Sequence, residues 1–281
     1  MKNLERKEVL KRMRLIFLEH KRFLQQIFRL AKSELIKSYK GSALGPVWSV
    51  IKPGITIFVY WFAFQIGLRA ARTVTVAGIT VDFFQFLMVG LTPWFFMKEA
   101  ILKGANCFRA KKAFVTKMSF PVSTIPTYKL LSELISHVLL LAVVYVVLIL
   151  TGGKPSVYNL QIFFYMPFMY MFFVFLAWIT APLSVISVDF LNIVRSIIAA
   201  IFWLSGIIYN PYGLDSELLR TVMMGTPVAY FANGYRNAFL FEQWFWETPY
   251  ETGMMILWTI VVFILGLYTY TRLRKKIPDM L

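Results

Sequence analysis

Residues 156–188 read SVYNLQIFFYMPFMYMFFVFLAWITAPLSVISV, a run with no charged side chain. A bilayer core of about 30 Å is crossed by roughly 20 apolar residues in a helix. The run exceeds that length, and its Pro167 and Pro182 predict kinks within the crossing helix. Five more apolar runs flank it. The first is Pro53–Leu68, which lengthens backward from Ile51 to Val47 if Lys52 snorkels. The second is Phe83–Met97, extended through Ile101 and Leu102. The third runs from about Pro121 to Gly152 and Gly153, with Lys129, Glu133 and His137 in its first half. The fifth spans Ser196 to about Tyr209 and the sixth Thr252 to Thr271. Six crossings leave both termini on one side. The expected fold is an all-α membrane protein with a single transmembrane domain over 1–281: an N-terminal region 1–46, six spans within 47–271, and a tail 272–281.

Composition agrees. Hydrophobic residues make up 58% of the 281-residue chain and charged residues 16%, against about 25% charged in a soluble domain. An ordinary soluble enzyme and a disordered chain are both excluded. The net charge of +16 would suggest nucleic acid in a soluble protein, but here it reports topology. With the N-terminus in the cytosol, 25 of the 30 Lys and Arg fall inside, and Arg69, Arg72, Lys154, Arg220 and Arg236 fall outside. That asymmetry places both termini in the cytosol of a multi-pass protein of the cytoplasmic membrane and needs no nucleic acid. The charged start, Met1 to Arg14, is not expected to be a cleaved leader.

Three segments are not expected to span. Residues 7–32 place Val9, Leu10, Met13, Ile16, Phe17, Leu24, Ile27, Phe28 and Ala31 at helical spacing between basic residues. This predicts an amphipathic helix in the interface of an anionic leaflet, with plain packing against the spans as the alternative. Residues 98–117 form a basic cytosolic connection, either a solvated turn or a short helix across the membrane plane. Glu99 and Lys103 stand in the favourable order for a helical ion pair there. Residues 210–250 are too apolar for a simple loop. Asp215 or Ser216 can cap a helix over Glu217–Met224, and Thr226–Pro227 can start another. Two short re-entrant helices between spans five and six are predicted, with Gly225 and Gly234 as bending points.

Little in the chain points to chemistry of its own. Gly153–Lys154 lacks the glycine pattern of a phosphate loop, so ATP hydrolysis is not expected here. The lone Cys107 and two histidines, His20 and His137, support no metal site and no catalytic triad. The scarcity of ionisable residues deep in the spans argues against a proton-coupled pump. What stands out is the aromatic excess. Most of it suits lipid contact, but Tyr60, Trp61, Phe64, Trp94 and Phe95 are candidates to line a conduit on which sugar faces stack.

The stretch from Lys37 to Pro53 (KSYKGSALGPVWSVIKP) resembles the approach to the first span of ABC-2 type export permeases for polysaccharides. Lys117–Tyr128 is similar to their start of span three, and Ser205–Tyr209, Thr226–Pro227 and Tyr235–Leu240 to their last external region. The resemblance runs in order along essentially the whole chain. Val59–Arg69, Trp94–Phe96 and Gln243–Trp244 look most like the branch that translocates wall teichoic acid. Thr226 stands where the family often has Asn, and Val188 where an Arg precedes the Asp at position 189.

The resemblance implies a homodimer of six-span subunits with two copies of a separate cytosolic ABC ATPase. That partner, not this chain, would hold ATP and magnesium. The cargo would be a polymer linked to undecaprenyl diphosphate: teichoic acid, with O-antigen or capsule as the near alternative. The 98–117 segment would be the coupling helix, with Asn106, Phe108, Arg109, Lys111, Lys112 and Phe114 as ATPase contacts. Lys37, Tyr39 and Lys40, with the 7–32 helix, would form a headgroup rim, with plain membrane anchoring as the alternative. Tyr209, Pro227, Phe231, Tyr235 and Arg236 would form an external gate, with a static plug as the alternative. A membrane-bound transferase acting on lipid-linked sugars and a secondary transporter are the readings from other classes.

Overall fold

An amphipathic helix needs a surface to lie on, and the N-terminal one lies on the third apolar run. The protein is described from a computed structural model covering residues 13–69, 72–117 and 120–281, so residues 7–12 of the predicted N-terminal helix lie outside it. A helix over residues 13–22 (α1) leads at Phe23 into Leu24–Ser38 (α2). Ile27 and Ala31, one turn apart, are buried as α2 packs against Thr124–Leu150 (α6). Leu24, Phe28 and Ile36 stay exposed on the side of α2 turned away from α6.

Trp48–Trp61 (α3) is continued by a π-helical turn, Phe62–Gly67. Then come Phe83–Ala110 (α4), Lys112–Lys117 (α5), α6, Ile162–Ile186 (α7) and Val188–Leu204 (α8). Glu217–Met224 (α9), Pro227–Arg236 (α10), Pro249–Leu273 (α11) and Ile277–Met280 (α12) complete the helices. α7 is the hub: α4 and α11 pack along it, and α6 and α8 complete the bundle. Four segments are long and apolar enough to cross a membrane: Gly45–Gly67, Thr124–Leu150, Val157–Ile186 and Pro249–Leu273. α4 is long, with 28 residues, but carries Gln85, Lys98, Glu99 and Lys103. α8 has only 17 residues.

Three boundaries differ from expectation. α4 does not stop near Leu102. Ala105, Cys107 and Phe108 remain buried on the same face, so the helix keeps its packing to Ala110. Only α5 is a separate short helix. α8 starts and ends earlier than the predicted fifth span, because Ser187 caps it by accepting the Asp189 N–H (3.1 Å). Third, Thr73–Val76 (β1) and Ile79–Asp82 (β2) form an antiparallel hairpin, Thr73 opposite Asp82. Its turn residues Ala77 and Gly78 both have positive φ (50° and 81°), as a tight two-residue hairpin turn requires. Asp82 then caps α4, its Oδ1 accepting the Phe84 N–H at 2.6 Å.

Candidate functional site

Between α3, α4 and α6 the helices leave a cleft of about 380 Å3. Trp48, Phe95, Phe96 and Leu140 give it apolar walls, and Lys52, Lys98 and Lys103 bring cationic heads. Lys103 is held by Glu99 (3.1 Å) and Glu133 (2.8 Å), so the expected pair along α4 is present and extends to α6. Among the described residues, Lys52 and Lys98 make no ion pair. His137 lines the cleft and is buried, its Nε2 hydrogen-bonded to Tyr235 Oη at 2.8 Å. The back of the cleft therefore touches α10. Replacing Tyr235 by Phe is expected to lower stability by about 1 kcal/mol, measured as a melting shift in detergent. No shift would mean that the bond contributes nothing net.

α10 is seated by one side chain. Thr226 Oγ1 accepts the Ala229 N–H (3.3 Å) and Pro227 occupies the first helical position, so the helix starts where its cap chemistry demands. At its other end Arg236 is 1% exposed. Its guanidinium donates to the carbonyls of Phe86 (3.2 Å), Gly206 (3.0 Å) and Ile207, and to Asn233 Oδ1 (3.1 Å). It also lies 3.6 Å above the centre of the Phe86 ring, a cation–π geometry. A Cβ on Gly90 would overlap this guanidinium. A second close approach corrects an expectation. Gly234 is not a bend but a flat place in α10 against which the Tyr165 ring packs, and a Cβ there would collide with that ring.

A second polar cluster gathers at the opposite end. Lys111 Nζ donates to Glu34 at 2.7 Å, and Lys129 donates to the other Glu34 oxygen. Burial alone would raise the Glu34 carboxyl, but the hydrogen bonds from Lys111 and Lys129 outweigh it and hold it below its ordinary value. Nearby, Arg274 pairs with Glu19, which also accepts from Ser123 Oγ (2.5 Å), and His20 Nε2 meets Thr127 Oγ1 at 2.8 Å. α1, α2, the α4–α5 corner, α6 and the C-terminal tail are thereby tied together.

The predicted residues separate into groups. Of the rim, Tyr39 lines the cleft, whereas Lys37 and Lys40 are exposed and do not line it. Of the coupling residues, Phe108 is wholly buried. Arg109 donates to the last carbonyls of α7, those of Ser184 and Val185 (3.0 Å to the latter). Lys111 is engaged by Glu34, Asn106 and Phe114 are half-buried, and Lys112 is exposed. Of the aromatics, Tyr60 and Trp94 each lie 5.4 Å from the Phe202 ring, Trp61 is edge-on to Phe84, Tyr60 is beside Phe64, and Phe95 faces the cleft. Of the external group, Phe231 and Tyr235 are buried on α10, and Tyr209 Oη donates to the Trp203 carbonyl (3.0 Å). Sequence reasoning missed Lys52, Lys98 and Glu34 as partners. Their one signal was charge placed on otherwise apolar helical faces.

Comparison with known proteins gives a consistent result. A family model described as ABC-2 type transporter matches residues 25–240. An O-antigen export system permease protein, RfbA, of Myxococcus xanthus is 25% identical over 214 residues, 76% of this chain and 79% of that protein. A protein of the same name from Klebsiella pneumoniae is 30% identical over 127 residues, 45% of this chain and 46% of that one.

Proposed function

We infer that this chain, which belongs to the ABC-2 type transporter family, is the membrane subunit of an ATP-driven exporter that moves a polysaccharide across the cytoplasmic membrane. The observation that carries this is the shared sequence with an O-antigen permease over about three quarters of both chains. It favours an O-antigen-type glycan as cargo over wall teichoic acid, the branch expected from Val59–Arg69. The complete protein would have six spans, with α4 and α8 as the second and fifth, both termini in the cytosol, and a second copy of itself beside it. The first apolar segment, little buried within the protomer, supports a surface turned toward lipid or that second copy. Two ABC ATPase subunits, holding ATP and magnesium, would dock at the α4–α5 corner.

The inner cleft suits the phosphorylated headgroup of a lipid-linked glycan. Lys52 and Lys98 supply charge, the exposed Lys37 and Lys40 flank the cleft-lining Ser38 and Tyr39 in the chain, and the aromatic walls accept the lipid-proximal sugars. At the other end α10, buried on every residue from Val228 to Arg236, favours a fixed wall. α9, with Leu218, Leu219 and Val222 exposed, is the better moving part of an external gate.

Two experiments test this. Purified alone in nanodiscs, the chain is expected to hydrolyse no ATP, and to carry a lipid-linked polymer that yields neutral sugars on acid hydrolysis when isolated with its ATPase. Glycerol or ribitol phosphate in the hydrolysate would restore the teichoic acid reading. Sugar transfer by the chain alone would overturn the transport reading. For coupling, Lys112→Glu is expected to weaken ATPase association and export while leaving the melting temperature unchanged. Unaltered association would remove α5 from the contact. Reversal at Arg109 or Lys111 is a poorer test, because both side chains hold the fold together.

A further inference from the structure

At the hairpin end, between the turn of β1–β2 and the loop entering α11, lies an open cleft of about 520 Å3. This is within the ~300–1,000 Å3 of small-ligand sites. Its character is opposite to that of the inner cleft, because among the described residues no Lys or Arg lines it. Glu251, 8% exposed, accepts the Tyr212 hydroxyl at 2.9 Å through Oε1, and its Oε2 has no donor among the described residues. Glu247 uses Oε2 for the Trp244 N–H (2.8 Å) and keeps Oε1. Asn210 accepts the Tyr212 N–H (3.1 Å) through Oδ1 and keeps its amide hydrogens. Gln243 uses its backbone on both sides, donating to Asn237 and accepting from Gln161, while its side-chain amide makes no described hydrogen bond. The rings of Tyr212 and Tyr250 complete the lining.

The lining thus offers two open carboxylate oxygens, two amides and two aromatic faces. A ligand that suits it must donate to the carboxylates, accept from the amides and lay an apolar face on a ring. Sugar hydroxyls both donate and accept, and a pyranose presents a C–H face. A phosphate-bearing polymer would instead bring negative charge to a lining that holds two acidic side chains and, among the described residues, no Lys or Arg. A metal is not the natural occupant either. No group of three or more His, Cys, Asp or Glu among the described residues is arranged to hold one.

We propose that this cleft is a subsite for neutral sugar residues of the exported polymer and that its two carboxylates select against polyol phosphate chains. The proposal rests on the polysaccharide-export reading and adds which class of polymer the external end accepts.

The test uses the full chain in nanodiscs, titrated calorimetrically with neutral pentasaccharides of glucose, mannose, galactose and rhamnose, and with a glycerol phosphate pentamer. At least one neutral pentasaccharide is expected to bind, equally at 50 mM and 500 mM NaCl, and the phosphate pentamer to bind at least tenfold more weakly. Glu251→Gln is expected to weaken neutral binding about tenfold and to narrow the gap to the phosphate pentamer. Because Glu251 is buried, Gln243→Ala, at a half-buried position outside the helices, is the second variant, with the same tenfold loss and an unchanged melting curve. Binding of the phosphate pentamer as tightly as the neutral probes, no binding of any neutral probe, or neutral binding indifferent to both variants overturns the subsite. Identification of the copurified polymer runs alongside. A glycan there with no neutral binding here defeats the subsite alone. Neutral binding that both variants weaken supports the subsite even where no glycan copurifies and the export reading fails.

Discussion

Arg236→Ala is expected to lower the melting temperature of the solubilised protein by roughly 10 °C. The guanidinium closes four hydrogen bonds at once, three of them to backbone carbonyls of Phe86, Gly206 and Ile207. Removing it leaves the Gly206 and Ile207 carbonyls and Asn233 Oδ1 without a donor, each costing about 1–3 kcal/mol, and opens a cavity beside Phe86. A loss of about 4 kcal/mol or more follows even if the site partly collapses. Arg236→Lys should recover little, because a single ammonium cannot reach carbonyls spread around a planar fork. Gly90→Ala alone should also destabilise, since its methyl would occupy the guanidinium's place. In the Arg236→Ala background the same methyl enters empty space, so the two losses should fall short of their sum by more than 1 kcal/mol. Strict additivity in this double-mutant cycle would mean that Gly90 does not serve the arginine.

The second large effect belongs to Glu34. Its carboxylate is 12% exposed and answers two lysines. Glu34→Ala therefore leaves two partly buried ammonium groups unpaired, with a cost toward the lower end of the ~3–5 kcal/mol seen for broken buried pairs. Glu34→Gln should lose less, since its amide oxygen still accepts one lysine. The carboxyl is held below its ordinary value, so its contribution is fully present above the unfolded value of about 4.5 and is lost as pH falls through the lower folded value. The wild type should thus lose stability faster than Glu34→Gln on acidification below about pH 4.5. Parallel acid melts of the two proteins would show that Glu34 is not a significant part of the corner.

The helix caps of α9 and α10 were plain in the amino-acid order. Ser216 accepts the Leu219 N–H and Thr226 the Ala229 N–H, and α9 and α10 run over the residues that those caps and Pro227 predict. Caps are local, so they can be read locally. The end of α4 could not be read this way. Hydropathy falls where Lys98, Glu99 and Lys103 begin, but the helix persists because Lys103 finds Glu133, 30 residues away. The hairpin did carry a signal, with alternating Thr and Val around Ala77–Gly78, yet ten residues between apolar runs are easily passed over as a loop. Neither cleft could be foreseen. Lys52 shares a cleft with Lys98 and His137 only because α3, α4 and α6 leave a gap, and Glu251 shares one with Asn210 only because the chain returns from α10. The arginine seat was half legible: Arg236 appeared as an external cation, but nothing local to it announced Gly206, Ile207 or Phe86 as partners.

The single residue between α7 and α8 has a mechanical meaning. Ser187 is extended (φ −137°, ψ 131°), and the carbonyls just before it are fastened by Arg109. α8 therefore has a fixed fulcrum and no slack. A joint of one residue favours swing over slide as the motion of α8. Its 17 residues make an arm of about 25 Å at 1.5 Å per residue, so a tilt of about 10° carries its tip through about 4 Å. That tip leads straight into Gly206 and Ile207, which Arg236 grips. A torque applied at the α4–α5 corner would thus arrive at the opposite end of the molecule as strain on one guanidinium.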